Sequence, residues 1–134
     1  MSGTARKVVW LDVVGLTPRL LAHAPTLCAL AARGSTGPLA GVVPAVTLPA
    51  QATALTGLPP DGHGVVGNGW FHPETGEVRF WVQSAAQMSG EPVYDAARRL
   101  AAAQGREFSS AKVFGWFAQG DGTGPPVADL SRGE

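Results

Sequence analysis

Apolar residues along this chain fall into short runs that differ in their spacing. Residues 7–14 are apolar almost without interruption, and residues 39–43 and 112–117 have the same character. Continuous apolar runs of this length are typical of strands that are buried on both faces, as in a parallel sheet covered by helices. We therefore predict three parallel strands at these positions.

Other segments have the apolar spacing and the boundary residues of helices. We predict helices over residues 25–33, 47–57 and 91–104, each bounded by a glycine at its C-terminal end. In the second of these helices Thr47 is the predicted N-cap, and Pro49 suits the first turn. Helices thus alternate with the predicted strands.

An antiparallel hairpin interrupts this alternation. Residues 70–72 and 78–82 flank a turn-forming tetrapeptide. We expect an α/β fold of three layers, with a mostly parallel sheet, helices on both faces and the hairpin inserted. Residues 1–117 form this predicted domain, whereas residues 118–134 are rich in glycine and proline and are predicted to be a disordered tail.

Composition narrows the classes of partner. The chain has 134 residues, 45% of them hydrophobic, and its ten basic residues balance ten acidic ones. This balance favours neither a nucleic-acid polymer nor a membrane surface as a partner, and it specifies no oligomeric state. The apolar run behind Arg6 and Lys7 is too short for a signal sequence or a membrane span, so we expect a cytoplasmic protein. The single cysteine, Cys28, is predicted to be a buried thiol without chemistry.

Asp12 is the one acidic residue within the first apolar run, which it interrupts. An ionised carboxylate buried in a strand without a partner would cost several kcal/mol, so it needs a neutralising group. A metal ion is one such group. The alternative is that Asp12 lies at the end of the strand and caps a loop by accepting backbone N–H groups.

Thr47 places a hydroxyl where an apolar strand is predicted to lead into a helix. A helix N-terminus favours an anion, so a phosphoryl group could be held there, and a hydroxyl activated by a metal ion or a base could attack it. The alternative is a purely structural helix cap.

Asn68 could direct its amide toward a developing oxyanion. The alternative for Asn68, which precedes Gly69, is a tight turn.

One short motif has the wrong context for its usual function. Residues 62–67 match the dinucleotide pattern G-x-G-x-x-G, but the match follows two prolines rather than a strand and leads into the hairpin rather than a helix. We assign it no nucleotide-binding role. His63, inside this motif, is predicted to be a loop residue, and His72 is predicted to lie on the hairpin.

Four ordered motifs together resemble a known family. They are Val9-Trp-Leu-Asp12-Val-Val-Gly15-Leu, Pro25-Thr-Leu-Cys-Ala-Leu-Ala-Ala-Arg-Gly34, Pro44-Ala-Val-Thr47-Leu-Pro-Ala-Gln51-Ala-Thr53 and His63-Gly-Val-Val-Gly-Asn68-Gly-Trp70. The chain resembles the type I phosphodiesterase and nucleotide pyrophosphatase family of the alkaline phosphatase superfamily. The resemblance extends over residues 7–117.

The resemblance implies a hydrolase with two metal ions, usually Zn²⁺, acting on a small-molecule phosphodiester or nucleotide. It further implies that Asp12 binds one metal, that Thr47 is the metal-bound nucleophile, and that Asn68 steadies the phosphoryl oxygens. These implied roles agree with the chemistry expected of the residues themselves.

The chain also departs from the family pattern. The family takes its remaining Asp and His ligands from a longer downstream region, and no histidine follows His72 here. We therefore expect a truncated alkaline-phosphatase-like fold that is incomplete for turnover, whether it is a truncated product, a frameshift or a fragment. The alternatives are a non-catalytic remnant that binds phosphate or a partner chain, and a hydrolase of phosphomonoesters, phosphonates or sulfate esters.

Overall fold

A computed structural model describes residues 7–113 and 115–119 of the chain. It divides into two compact units, Met1–Leu39 and Ala40–Glu134, which are treated separately below. The described residues form five α-helices, one short 3₁₀ helix and one two-stranded sheet. In chain order these are α1 Pro18–Leu21, α2 Pro25–Ala31, α3 Thr47–Thr56, α4 Pro60–His63, β1 Gly69–His72, β2 Glu77–Phe80, the 3₁₀ helix Ala85–Gln87 and α5 Val93–Ala103.

The first unit contains two short helices. Thr17 caps α1, because its Oγ1 accepts a hydrogen bond of 3.3 Å from the Leu20 N–H. Helix α2 begins at Pro25, where the missing N–H has no intrahelical partner to lose, and it confirms the helix predicted at this position. Cys28 lies on α2 and is exposed, so the prediction of a buried thiol is wrong.

The apolar run of residues 7–14 does not form the predicted strand. Its side chains are exposed, with Val8 at 90% and Leu11 at 64% of full exposure. A strand completes its backbone hydrogen bonds only with a neighbouring strand, and no strand within the described residues pairs with this run. The prediction of a buried strand here is therefore wrong, since apolar character alone supplies no pairing partner.

The other two predicted parallel strands are also not formed in the described part of the chain. Residues 39–43 have no strand assignment, and neither do the described residues between 112 and 117. Phe117, the last residue of the second segment, has a left-handed φ of 60°, which is incompatible with a strand at that residue. The parallel sheet is thus not formed by the residues that the structure describes.

The hydrophobic core lies in the second unit. Helix α3 contributes one face of residues at helical spacing, and the loops around it add the rest. The buried apolar residues are Leu48, Ala52, Leu55, Val65, Met88 and Phe117. Partly buried aromatic rings, including Trp70 and Tyr94, pack against this cluster. The helix that carries Thr47 is thereby the best-packed element described.

The predicted hairpin is confirmed. Strand β1 pairs antiparallel with β2, with Gly69 opposite Phe80 and His72 opposite Glu77. Gly69 is required there, because a Cβ at this position would come within 2.7 Å of the Phe80 ring. The hairpin turn lies between the two strands and begins five residues beyond Asn68.

Helix α5 confirms the third predicted helix, with Pro92 as its N-cap. Two of its arginines form ion pairs: Arg98 pairs with Asp95, and Arg99 pairs with Glu91 through two hydrogen bonds of 2.8 and 2.9 Å. The pair of Arg99 with Glu91 is exposed and adds little to stability, whereas the pair of Arg98 with Asp95 is partly buried.

No helix in the described ranges is both long and apolar enough to cross a membrane. The predicted tail, residues 118–134, lies outside the described residues except for its first two. Of these, Gln119 forms an isolated parallel bridge with Ser84, and the Ala85 N–H donates to the Gln119 carbonyl at 2.8 Å. These contacts connect Gln119 to the start of the 3₁₀ helix.

Candidate functional site

The N-terminus of α3 presents Thr47 as the first helical residue. Val46, not Thr47, is the N-cap: its backbone is extended, with φ −123° and ψ 165°, and its carbonyl accepts the first helical hydrogen bond from Ala50 at 3.1 Å. The predicted cap was therefore wrong by one residue. Valine has no side-chain acceptor, so this helix end requires a polar partner from elsewhere in the chain.

Asn68 provides that partner. Its Oδ1 accepts a hydrogen bond of 3.0 Å from the Leu48 N–H, the second amide of the helix. This is the bond that an N-cap side chain normally makes, here supplied by a residue 20 positions later in the chain. The Asn68 carbonyl in turn accepts from the Trp81 N–H at 3.0 Å, which ties the residue to the hairpin. The alternative of a simple hairpin turn at Asn68 does not describe this residue.

The structure thus brings Thr47 and Asn68 together at one end of α3. Both residues are half-buried. In the described residues the Leu48 amide is bonded to Asn68, Pro49 has no N–H, and no hydrogen bond is recorded for the Thr47 N–H or hydroxyl. The Thr47 groups and the Asn68 NH₂ therefore lie where the helix dipole is positive, which is the arrangement that binds an anion.

Asp12 belongs to the first unit, where it is exposed and lies outside any helix or strand. The premise of a buried carboxylate is therefore wrong. Among the residues that the structure describes, no group of three or more His, Cys, Asp or Glu side chains could hold a metal ion. A zinc site needs three or four protein ligands, so the described residues do not fit the two-zinc centre that the resemblance implies.

The structure identifies His63 as a core residue that the sequence prediction placed in a loop. The side chain is fully buried. Its Nε2 lies 2.9 Å from the Thr53 Oγ1, and its Nδ1 accepts a 3.0 Å hydrogen bond from the Val65 N–H. Burial lowers the pKa of His63, an effect that the nearby charge of Asp61 partly opposes.

One sequence signal could have located His63. Pro60 is the first residue of α4, and Gly64 caps the helix in a left-handed conformation with φ 78°. A proline at the start and a glycine just past the end are the usual boundaries of a helix. Read in this way, the Gly-His-Gly segment contains the last residue of a helical turn rather than a loop.

Gln51 is a second residue that sequence reasoning left unassigned. It lies one helical turn after Thr47, and its Oε1 accepts a 3.0 Å hydrogen bond from the Trp116 N–H. The Trp116 ring packs against Trp81 with 5.2 Å between the ring centroids. The bond connects α3 to a segment 65 residues later in the chain, which no local pattern could indicate.

Comparison with known proteins gives the family. Residues 8–131 match the model of the type I phosphodiesterase / nucleotide pyrophosphatase family. An uncharacterized pyrophosphatase/phosphodiesterase of Schizosaccharomyces pombe is 37% identical over 71 residues, which are 52% of this chain and 14% of the relative. The chain thus spans about one-seventh of the length of that relative. Because the family match includes nearly the whole sequence, the chain belongs to the type I phosphodiesterase / nucleotide pyrophosphatase family.

Proposed function

We propose that this chain contributes the nucleophile to the hydrolysis of a phosphodiester or pyrophosphate bond, with Thr47 as the attacking residue. The observation that supports this is the hydrogen bond from the Leu48 N–H to the Asn68 Oδ1, which holds Asn68 beside Thr47 at the N-terminus of α3. Family membership supports the class of reaction. The relative from S. pombe, a pyrophosphatase/phosphodiesterase by name, agrees with it.

The reaction would proceed in two displacements. The Thr47 oxygen forms a bond to phosphorus while the bond from phosphorus to the leaving oxygen breaks, and the hydroxyl proton passes to a base or to the leaving group. A water molecule then attacks the phosphothreonine, the bond from phosphorus to the Thr47 oxygen breaks, and the threonine recovers a proton. The net change is the addition of one water across the original bond.

Asn68 and the helix end would bind the phosphoryl group in both steps. The bond to Leu48 fixes the Asn68 amide plane, so its NH₂ group is available as a donor to a phosphoryl oxygen. The unbonded Thr47 N–H and the positive end of the helix dipole favour the same anion. A preorganised donor of this kind stabilises charge as it develops, without reorganisation.

Members of the family are generally metal-dependent. We extend the proposal to a divalent metal, with Asp12 and Thr47 among its ligands as the resemblance implies. The described residues provide no ligand cluster, so any such site needs ligands in addition to them, and no step above depends on a metal.

The fold and the substrate class are also part of the proposal. Family membership implies an alkaline-phosphatase-like α/β fold. We propose its three-layer, mostly parallel sheet, which needs strands in addition to the hairpin of the described residues. The balanced charge of the chain supports a small-molecule phosphodiester or nucleotide as substrate rather than a nucleic-acid polymer. The cytoplasmic location remains a prediction from the sequence.

The test is turnover of bis(p-nitrophenyl) phosphate with added Zn²⁺ by the full 134-residue chain and its Thr47 variants. We expect Thr47→Ala to lower turnover on the order of 10³-fold or more, because no attacking oxygen remains. Thr47→Ser keeps the hydroxyl and should retain most activity. Thr56→Ala is the matched control, since the Thr56 hydroxyl lies at the other end of α3 and bonds to the Ala52 carbonyl and the Leu58 N–H. Equal turnover by Thr47→Ala and the wild type would contradict a threonine nucleophile.

A second candidate function is phosphate binding without turnover. The lack of a metal-ligand cluster in the described part of the chain favours it. If no variant turns over, inorganic phosphate titrated into ¹⁵N-labelled protein should shift the Thr47 and Leu48 amide signals in the wild type. Assays with p-nitrophenyl phosphate and p-nitrophenyl sulfate separate the phosphomonoester and sulfate ester alternatives.

A further inference from the structure

The buried imidazole of His63 connects the two segments that carry the candidate site. Through Nε2 it contacts the Thr53 hydroxyl on α3, the helix that presents Thr47. Through Nδ1 it accepts from the Val65 N–H, three residues before Asn68. The His63 carbonyl also accepts from the Ser89 N–H at 2.9 Å, so the residue is fixed at its backbone as well.

The hydrogen bonds define the protonation state of the ring. The Val65 N–H can only donate, so Nδ1 must present its lone pair and carry no proton. The remaining proton of a neutral ring is then on Nε2, which donates to the Thr53 Oγ1. A second proton on Nδ1 would set two donors against each other at 3.0 Å. The bridge between α3 and Val65 therefore exists only with a neutral imidazole.

We propose that His63 is a positioning residue of the candidate site: its neutral ring sets the position of Asn68 relative to the N-terminus of α3. The inference rests on the proposed function for the meaning of that position, but the position itself is measurable without turnover. His63 makes no contact with Thr47 or Asn68 that the structure records, so it acts through α3 and through the segment from Val65 to Asn68.

The surroundings of the ring support this role. Helix α3 carries no charged side chain, and neither do residues 64–69 nor residues 88–90. Asp61, on α4, is the charged group whose field favours the protonated ring, and burial opposes it more strongly. An unpaired donor left in this buried place would be destabilising, and movement of α3 or of residues 64–68 would relieve it.

The first test uses the wild-type chain and NMR of the His63 ring nitrogens. At pH 7.5 we expect a neutral ring with its proton on Nε2. On acidification, the signals of the Leu48 amide and of the Asn68 side-chain NH₂ should shift with the same midpoint as the ring. A ring that is charged at pH 7.5, or protonated on Nδ1, would overturn the proposal, as would site signals that do not follow the ring.

The second test compares threonine variants on one helix. Thr53→Val removes the partner of Nε2 with little change in shape, and Thr53→Ser keeps the hydroxyl. Thr56→Val is the matched control because the Thr56 hydroxyl bonds to the Ala52 carbonyl and the Leu58 N–H and not to His63. We expect Thr53→Val to speed hydrogen exchange of the Leu48 amide about fivefold or more relative to an amide in the middle of α3. Thr53→Ser should restore the wild-type ratio, and Thr56→Val should leave it unchanged.

The outcomes separate this inference from the proposed function. Equal effects of Thr53→Val and Thr56→Val on the exchange ratio would overturn the positioning role, whatever the turnover. Loss of turnover in Thr47→Ala together with an unchanged exchange ratio in Thr53→Val would support the nucleophile and reject the role of His63. An altered ratio in a protein without turnover would support the role of His63 and reject catalysis by the chain alone.

Discussion

Residues 7–14 and helix α3 are both rich in apolar side chains, yet only the helix buries them. Leu11 is 64% exposed, whereas Leu48 is fully buried. The two segments differ in how they complete their backbone hydrogen bonds. A helix pairs its N–H and C=O groups internally, but a strand needs a neighbour. Apolar content therefore indicates what could be buried, and the availability of backbone partners determines what is.

The same difference in backbone hydrogen bonding explains which polar side chains of the candidate site are held in place. Helix α3 leaves only its end unsatisfied, and Asn68 completes that end with one hydrogen bond. His63 then connects the side of the helix to the segment before Asn68. Asp12 has no comparable scaffold, because the run that contains it forms neither helix nor strand.

The largest expected effect comes from a matched pair of leucine truncations. Leu48→Ala removes a fully buried side chain and should lower the free energy of unfolding by about 2–5 kcal/mol. Leu11→Ala removes a side chain that is mostly exposed and should change it by no more than about 0.5 kcal/mol. Urea unfolding followed by far-UV circular dichroism measures both.

The two leucine variants test directly whether α3 is buried and residues 7–14 are exposed. A loss of several kcal/mol in Leu11→Ala would mean that residues 7–14 are buried in solution, as the sequence pattern predicts for a strand in a parallel sheet. A small effect of Leu48→Ala would mean that α3 is not packed as the structure has it.

The pH dependence of stability comes next in size. The pKa of His63 is lowered in the folded chain by burial, so the unfolded chain binds the proton more readily. The stability that the neutral, buried His63 ring contributes is complete above its unfolded pKa of about 6.5. This contribution is lost as the pH falls from there through the lower pKa of the folded chain. We expect a slope of at most about 1.4 kcal/mol per pH unit between pH 7 and 5.5.

Urea titrations at several pH values, with two histidine variants, test this expectation. His63→Gln should remove most of the slope. His72→Gln should keep it, because His72 lies on the hairpin and takes no part in the hydrogen bonds of the buried His63 ring. A slope that survives in His63→Gln would assign the pH dependence to other groups.

Much of the local structure could be predicted from the sequence. Pro25, Gly57 and Pro92 mark helix ends that the structure confirms, because the conformational limits of proline and glycine act locally. The hairpin followed from a turn-forming tetrapeptide between two β-prone segments. Thr47 and Asn68 were selected for their chemistry, and they are neighbours in the structure.

The remaining features depend on contacts between distant residues. The bond between Gln51 and Trp116 and the left-handed conformation of Phe117 have no local signature. His63 was assigned to a loop because glycines flank it, although its burial is set by Thr53 and Val65. Spacing along the chain does not report such pairings.

Substitutions of Asn68 test its hydrogen bond to the N-terminus of α3 and the binding of an anion there. Asn68→Ala leaves the Leu48 N–H without its acceptor and should lower the free energy of unfolding by about 1 kcal/mol. Asn68→Asp keeps an acceptor and places a negative charge at the helix N-terminus, so stability should be retained or slightly raised. The same charge should repel inorganic phosphate, and NMR titration should show weaker binding than in the wild type. Phosphate binding unchanged in Asn68→Asp would contradict an anion site at this end of α3.

The smallest expected effect concerns the cap of α1, the counterpart of Asn68 in the first unit. Thr17 caps a helix of four residues through an exposed hydrogen bond of 3.3 Å, and no residue of that helix is buried. Solvent can replace this bond, so Thr17→Ala should lower the free energy of unfolding by no more than about 0.5 kcal/mol. Urea unfolding beside Asn68→Ala measures the contrast. Equal losses in the two variants would mean that the contribution of a cap does not depend on whether its helix is buried. They would contradict the contrast between α1 and α3.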